Sequence, residues 1–289
     1  MKIIRFLGGL GNQMFQYAFY ELLKQRFGNV KVDLSAYKEH VHNGFELERI
    51  FNIKLKQASQ LEINLRDHRN RKWKYRKLRR ITFLKPRYYE EEFLFSYDES
   101  LFVNTSLKIY SGYWQNYRYL NSVSDKLRQS FIFPKLVQLK DINLFEELQR
   151  QEESVAIHVR RGDYIKDPFL GGLVGLGYFE DGISIMKRQL TNPKFYVFSD
   201  DIEWCKINLN LHDAVFVDWN KGLDSFRDMQ LMSRCKHAII SNSSFSWWAA
   251  WLNPFVDKLV VVPKVWWKGP HASNTVDMHP KEWIRIENL

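Results

Sequence analysis

Between residues 154 and 262, short apolar runs alternate with longer stretches of helical period. The runs are 154–159 (SVAIHV), 195–198 (FYVF), 214–217 (AVFV), 238–240 (AII) and 259–262 (LVVV). Between them, apolar residues recur at three- and four-residue spacing: Phe179, Ile183, Met186 and Leu190; Phe226, Met229, Met232 and Cys235; Trp247, Trp248 and Trp251. A strand that is apolar at consecutive positions has both faces covered, and strands separated by helices join in parallel. The second half therefore predicts a parallel sheet with helices on both faces. The chain opens in the same order: strand Lys2–Leu7, loop Gly8–Gln13, a helix carrying Phe15, Ala18, Phe19, Leu22 and Leu23, and strand Val30–Leu34. That is the layout of a nucleotide-binding α/β unit. Two such α/β halves meeting near residue 150 would place a cleft between them, a favoured ligand site.

Polar residues gather where these strands end. The run 154–159 delivers His158, Arg160, Arg161 and Asp163 around the turn glycine Gly162. Adjacent arginines at a buried strand's end fit an anionic ligand, because guanidinium forks match phosphate oxygens bidentately. The competing account is a strand-end salt bridge from Arg160 or Arg161 to Asp163. Asp200 and Asp201 follow the next strand, and Ser241–Ser244 precede a helix. Ser243 and Ser244 could hold phosphate with the helical N–H groups, or simply cap the helix. Asp200 or Asp201 could meet a base or ribose edge, or likewise cap. In a parallel sheet all three turns share one edge, and together they describe a pocket for a nucleotide diphosphate. The first loop is neither a dinucleotide fingerprint nor a Walker A, but Asn12 stands where it could touch a ligand.

Composition narrows the classes further. The two cysteines, Cys205 and Cys235, exclude a disulfide framework and a Cys-based metal site. No run reaches the ~18 apolar residues of a membrane span, so a cytoplasmic protein is expected. Asp200, Asp201 and Glu203 lie close enough for a Mg²⁺-diphosphate site, yet Arg160 and Arg161 already supply positive charge, so no metal is expected.

The net charge of +10 resides in one place. Residues 66–87 hold eleven Lys or Arg and one acid, Asp67, while the rest of the chain carries 32 of each sign. Trp73, Leu78 and Ile81 read as sparse anchors of a helix here. Arg76, Lys77, Arg79 and Arg80 read as charges free to meet anionic lipid, or as a solvated face. The aromatics of 110–119 (YSGYWQNYRY) suit either sugar stacking or packing.

Four segments carry a resemblance: GGLGNQMFQYAF (8–19), HVRRGDY (158–164), SNSSFSWWAAWL (241–252) and the ending VVPKVWW with KEWIRIE (261–267, 281–287). In order and spacing they resemble the bacterial α-1,2-fucosyltransferases nearly end to end, least over 36–110. The resemblance implies a GT-B-like α/β fold of two Rossmann-like domains, 1–150 and 151–289, facing a central cleft, with GDP-L-fucose as donor and no metal cofactor. It also implies an inverting transfer to the 2-hydroxyl of a galactose-terminated glycan, lipid-linked in surface-glycan or O-antigen synthesis. It places the donor diphosphate on Arg160, with Arg161 and His158 in the same motif. The guanine side falls at Asp200 or Asp201, and the phosphate side at Ser243 or Ser244. Domain 1–150 would then take the acceptor and 151–289 the donor, at the inner face of the bacterial membrane in peripheral contact with anionic lipid. Asp163, His158 and Asp167 remain candidates for the general base that an alcohol nucleophile needs. Two rivals stand: a fucosyltransferase of other linkage, such as α-1,6, and a nucleic-acid binding module built on the basic block, although no nucleic-acid partner is expected.

Overall fold

The computed structural model describes all residues except 40–42, 93, 107, 271 and 289. The chain divides into two compact units, residues 1–132 with 276–278, and residues 133–275 with 279–289.

The first unit holds a parallel sheet of β1 (Lys2–Arg5), β2 (Val30–Asp33), β3 (Tyr88–Glu90) and β4 (Ile109–Ser111) in the order β2-β1-β4-β3. Its helices are α1 (Leu10–Phe27), α2 (Glu46–Phe51), α3 (Gln60–Arg66), α4 (Trp73–Ile81), α5 (Ser100–Val103) and α6 (Ser124–Ser130). Strand β1 is central because Ile3 and Ile4 are apolar on both faces and fully buried. Helix α1 also buries polar residues. Gln13 donates to the carbonyls of Gly8 and Gly44 and accepts from the amide of Glu46. Gln16 donates to the carbonyls of Leu7 and Gly112 and accepts from the amide of Leu7. These two glutamines latch the glycine loop to its surroundings.

In this unit one open alternative is decided and one expectation fails. The aromatic stretch after β4 is core: Trp114, 1% exposed, stacks on Phe19 with ring centroids 4.0 Å apart, and Tyr110 and Tyr119 are equally buried. In the basic block, Trp73 and Ile81 are exposed and anchor nothing, whereas Arg79 is buried. Its guanidinium donates to four carbonyls, those of Leu65, Asn70, Asn64 and Asp67, two of which belong to the last turn of α3. A fork of five donors is the side chain best able to satisfy several helix-end carbonyls at once.

The second unit holds β5 (Ser154–Val159), β6 (Lys194–Ser199), β7 (Val215–Val217), β8 (His237–Ile240), β9 (Val260–Pro263) and β10 (Ile284–Ile286), all parallel, in the order β10-β9-β8-β5-β6-β7. Helices α7 (Leu139–Arg150), α8 (Leu176–Gln189), α9 (Ile202–Asn208), α10 (Phe226–Met232) and α11 (Ser244–Leu252) accompany it. Counted from β5, this is the doubly wound order of a dinucleotide-binding sheet, whose connections reverse between β5 and β8. The expected boundary at residue 150 lies too late, because α7 belongs to the second unit. Asp141 on α7 accepts hydrogen bonds from Trp219 Nε1 and Asn220 Nδ2 of that unit, at 2.8 and 2.9 Å.

Candidate functional site

The turn after β5 is clamped from both sides. Ser241, just past β8, donates from Oγ to the carbonyl of His158 at 2.6 Å and accepts from the amide of Arg160 at 2.9 Å. On the other flank Ser199 Oγ, at the end of β6, donates to the carbonyl of Val159. Asp200 Oδ1 accepts from the amide of Arg161 at 2.9 Å. Arg160 leaves the sheet at the point where the strand order reverses, the place at which open α/β sheets bind ligands.

Both arginines are held by carboxylates. Arg160 pairs with Asp163 Oδ1 at 2.8 Å and with Asp200 Oδ2 at 3.1 Å. Arg161 pairs through Nε with Asp201 Oδ2 at 3.1 Å, and its guanidinium lies 4.1 Å from the centre of the Trp204 ring. The predicted salt bridge and the predicted arginine cluster are thus one arrangement. Partly exposed guanidiniums fixed by acids are already oriented for an incoming anion. Gly162 makes the turn fit, since a Cβ there would stand 2.7 Å from Asp200 Oδ2. Among the described residues no group of three His, Cys, Asp or Glu is arranged to hold a metal ion.

The remaining predicted residues divide by environment. Asp201 caps α9, accepting from the amide of Trp204 through Oδ1. Ser243 occupies the N-cap position of α11 but makes no capping bond there; its hydroxyl meets Tyr164, whose own ionisation burial pushes up to about 12. Ser244 opens α11 at the same turn. His158 is buried within β5 against Phe245, and burial, followed by the charge of Arg160, lowers its pKa to about 3. It is therefore neutral, and a weak proton acceptor, at neutral pH. Asp167 Oδ1 accepts from the amides of Phe169 and Leu170, closing the loop after the motif.

The first unit carries its own polar edge. Strands β1 and β4 are neighbours in its sheet, and the segments following them meet at its carboxyl edge. Gln115 Nε2 donates to Asn12 Oδ1 at 2.6 Å. Gly8 has φ +75°, and a Cβ on it would strike the Asn12 side chain at 2.4 Å, so the loop passes this close only as glycine. Asn12 is accordingly held at the carboxyl edge of the sheet. Beside it, Glu91, immediately after β3, accepts at Oε2 from the amides of Tyr113 and Trp114 at 2.7 and 3.1 Å. Burial raises its pKa to about 7. Sequence reasoning missed Glu91 because it is the middle of three consecutive glutamates, which local sequence does not tell apart. The one available signal was its position directly behind a strand.

The folded protein keeps the Glu91 proton to about pH 7, whereas the unfolded chain releases it near the ordinary glutamate value of 4.5. The stability associated with protonated Glu91 is hence fully present below about 4.5, is lost as pH rises to about 7 and changes no further beyond. Glu91→Gln is expected to flatten that part of a plot of urea midpoint against pH. A slope unchanged in the variant would show that Glu91 is not its source.

The profile of glycosyl transferase family 11 matches residues 1–287. An α-1,2-colitosyltransferase of Escherichia coli is 35% identical over 298 residues, 99% of this chain and 98% of that protein. The O-antigen biosynthesis glycosyltransferase WbnK, also from Escherichia coli, is 31% identical, covering 96% of this chain and 98% of its own. The crystal structure of fucosyltransferase NodZ from Bradyrhizobium superposes with a TM-score of 0.52 over 88% of this chain and 93% of that one, at 14% identity. At that identity the likeness is one of fold, and it supports the GT-B-like α/β class.

Proposed function

Because the chain belongs to glycosyl transferase family 11, we propose that it is an inverting α-1,2-glycosyltransferase. In this reading it moves L-fucose from GDP-β-L-fucose to the 2-hydroxyl of a galactoside. The observation that carries the reading is Arg160, fixed by Asp163 and Asp200 at the reversal point of a nucleotide-binding sheet. The second unit would hold the GDP-sugar and the first the acceptor, which in O-antigen synthesis would be a lipid-linked glycan.

The acceptor oxygen attacks C1 opposite the diphosphate. The C1–O bond to the β-phosphate breaks as the new bond forms, and the electron pair leaves on the phosphate. Arg160 meets that growing charge where it develops, so it lowers the barrier to reaction as well as holding the donor. Ser243 and the N-terminal turn of α11 suit the other phosphate oxygens. The acceptor proton must pass to a base or to solvent.

A second donor is favoured by the 35% identity to the α-1,2-colitosyltransferase. Colitose is L-fucose without its 3-hydroxyl. A site that hydrogen-bonds a hydroxyl rejects the analogue lacking it by about 10⁴ or more, whereas a site without such a bond discriminates weakly. The test incubates the purified protein with GDP-L-fucose or GDP-colitose and a galactoside in excess EDTA, then determines product linkage. An α-1,2-linked fucoside formed at an undiminished rate is expected. A different linkage refutes the 2-hydroxyl assignment. Activity lost to the chelator and restored by Mg²⁺ would make Asp200, Asp201 and Glu203 a metal site instead.

A further inference from the structure

Helix α4 turns its charged side outward and holds it there. At 3.6 residues per turn, Tyr75, Leu78 and Arg79 share one side of the helix. The other side centres on Trp73, flanked by Arg76, Lys77, Arg80 and Ile81. The first set is tied to the body of the unit. Arg79, 9% exposed, makes its four carbonyl bonds, and Tyr75 Oη accepts from Asn64 Nδ2 at 2.9 Å. The second set lies open, with Trp73 74% and Ile81 63% exposed. A solvated helix has no need of a tryptophan at the middle of its basic face.

Phe83 adds an independent anomaly. The chain reverses after α4 as the amide of Leu84 donates to the carbonyl of Arg79. This places Phe83 at φ +48°, with its ring 90% exposed. Helix ends of this kind favour glycine or asparagine, and a bulky residue there is strained. Neither backbone preference nor packing accounts for a phenylalanine at this point.

We propose that α4 and Phe83 form a docking surface for an anionic lipid bilayer. The basic residues meet lipid headgroups, while Trp73, Ile81 and Phe83 enter the interface. The charge is complementary: this block carries the entire net charge of the chain. Ile81 distinguishes lipid from nucleic acid, since an aliphatic side chain gains from an apolar phase and offers no ring for base stacking. The surface lies wholly within the first unit, and its binding can be read without turnover, so it stands or falls separately from the sugar-transfer reading.

The experiment is co-sedimentation of the full chain with vesicles of phosphatidylcholine containing about one third phosphatidylglycerol. Binding is expected at low salt, and at least tenfold weaker binding in ~0.5 M salt, where screening shortens the field to a few ångströms, or on pure phosphatidylcholine. Each basic residue near such a surface adds roughly fivefold, so Arg76→Gln, Lys77→Gln and Arg80→Gln together should weaken binding at least tenfold. Turnover of a soluble galactoside should be unaffected. Arg79 is left in place because it holds the fold. Phe83→Gly separates docking from structure: it relieves the left-handed strain, so its melting temperature should hold or rise while vesicle binding falls. The proposal is overturned if wild type fails to sediment with anionic vesicles at low salt, or if the triple variant binds like wild type. Binding to a single-stranded oligonucleotide without binding to vesicles would overturn it equally and assign the surface to nucleic acid.

Discussion

Arg160→Ala is expected to lower kcat/KM at least a hundredfold, about 3 kcal/mol of transition-state stabilisation, the scale of losing one preorganised donor from a developing oxyanion. Arg160→Lys should recover little, since an ammonium is a point charge and cannot form the bidentate fork. Stability supplies the control. Arg160 is one-third exposed and its partner Asp163 more so, and exposed ion pairs contribute about 1 kcal/mol or less. The melting temperature should therefore move by only about 2–4 °C. A large loss of stability with a small loss of rate would leave the salt-bridge account standing alone. Near wild-type turnover in Arg160→Lys would exclude a role on the diphosphate.

The second large effect is expected at the carboxylate that holds both arginines. Asp200 gives Oδ2 to the guanidinium of Arg160 and Oδ1 to the backbone amide of Arg161. Removing it frees the side chain that must meet the phosphate and the turn that carries it. Misplacement of about 1 Å costs on the order of a hundredfold in rate. Asp200→Ala should thus lose between about tenfold and a hundredfold in kcat/KM. Gly162→Ala should resemble it, because a methyl group 2.7 Å from Asp200 Oδ2 must push that carboxylate aside. The two changes act through one displacement, so the double variant should be scarcely worse than the worse single one. Losses that add in free energy would mean that Gly162 and Asp200 act separately.

The sheet edge and its chemistry were legible in the residues for local reasons. Consecutive apolar positions in 154–159 and 259–262 admit only a strand covered on both faces. The intervening helical periods then require parallel pairing, and parallel pairing brings the turns after β5, β6 and β8 to one edge. Arg160, Arg161, Asp200 and Ser243 could be placed together before any coordinates. Strands β3 and β10 escaped because they lie at sheet edges. Three residues with one neighbour need no apolar run, and Tyr88–Glu90 and Ile284–Ile286 are partly exposed.

Other features depend on partners far apart in the chain. Ser241 reads as one of several helix-start serines, and only the pairing of β5 with β8 makes it the clamp on Arg160, 81 residues away. Arg79 is indistinguishable from Arg80 in sequence until the end of α3 presents carbonyls to one of them. Glu91 is one glutamate of three until the amides of Tyr113 and Trp114 select it. By itself the sequence determined the α/β class, the parallel sheets and the polar strand ends, because burial period and turn chemistry are properties of neighbouring residues. The tertiary structure alone decided which arginine faces inward, which glutamate is buried and which serine holds the turn. Those outcomes turn on hydrogen-bond partners that no local period records.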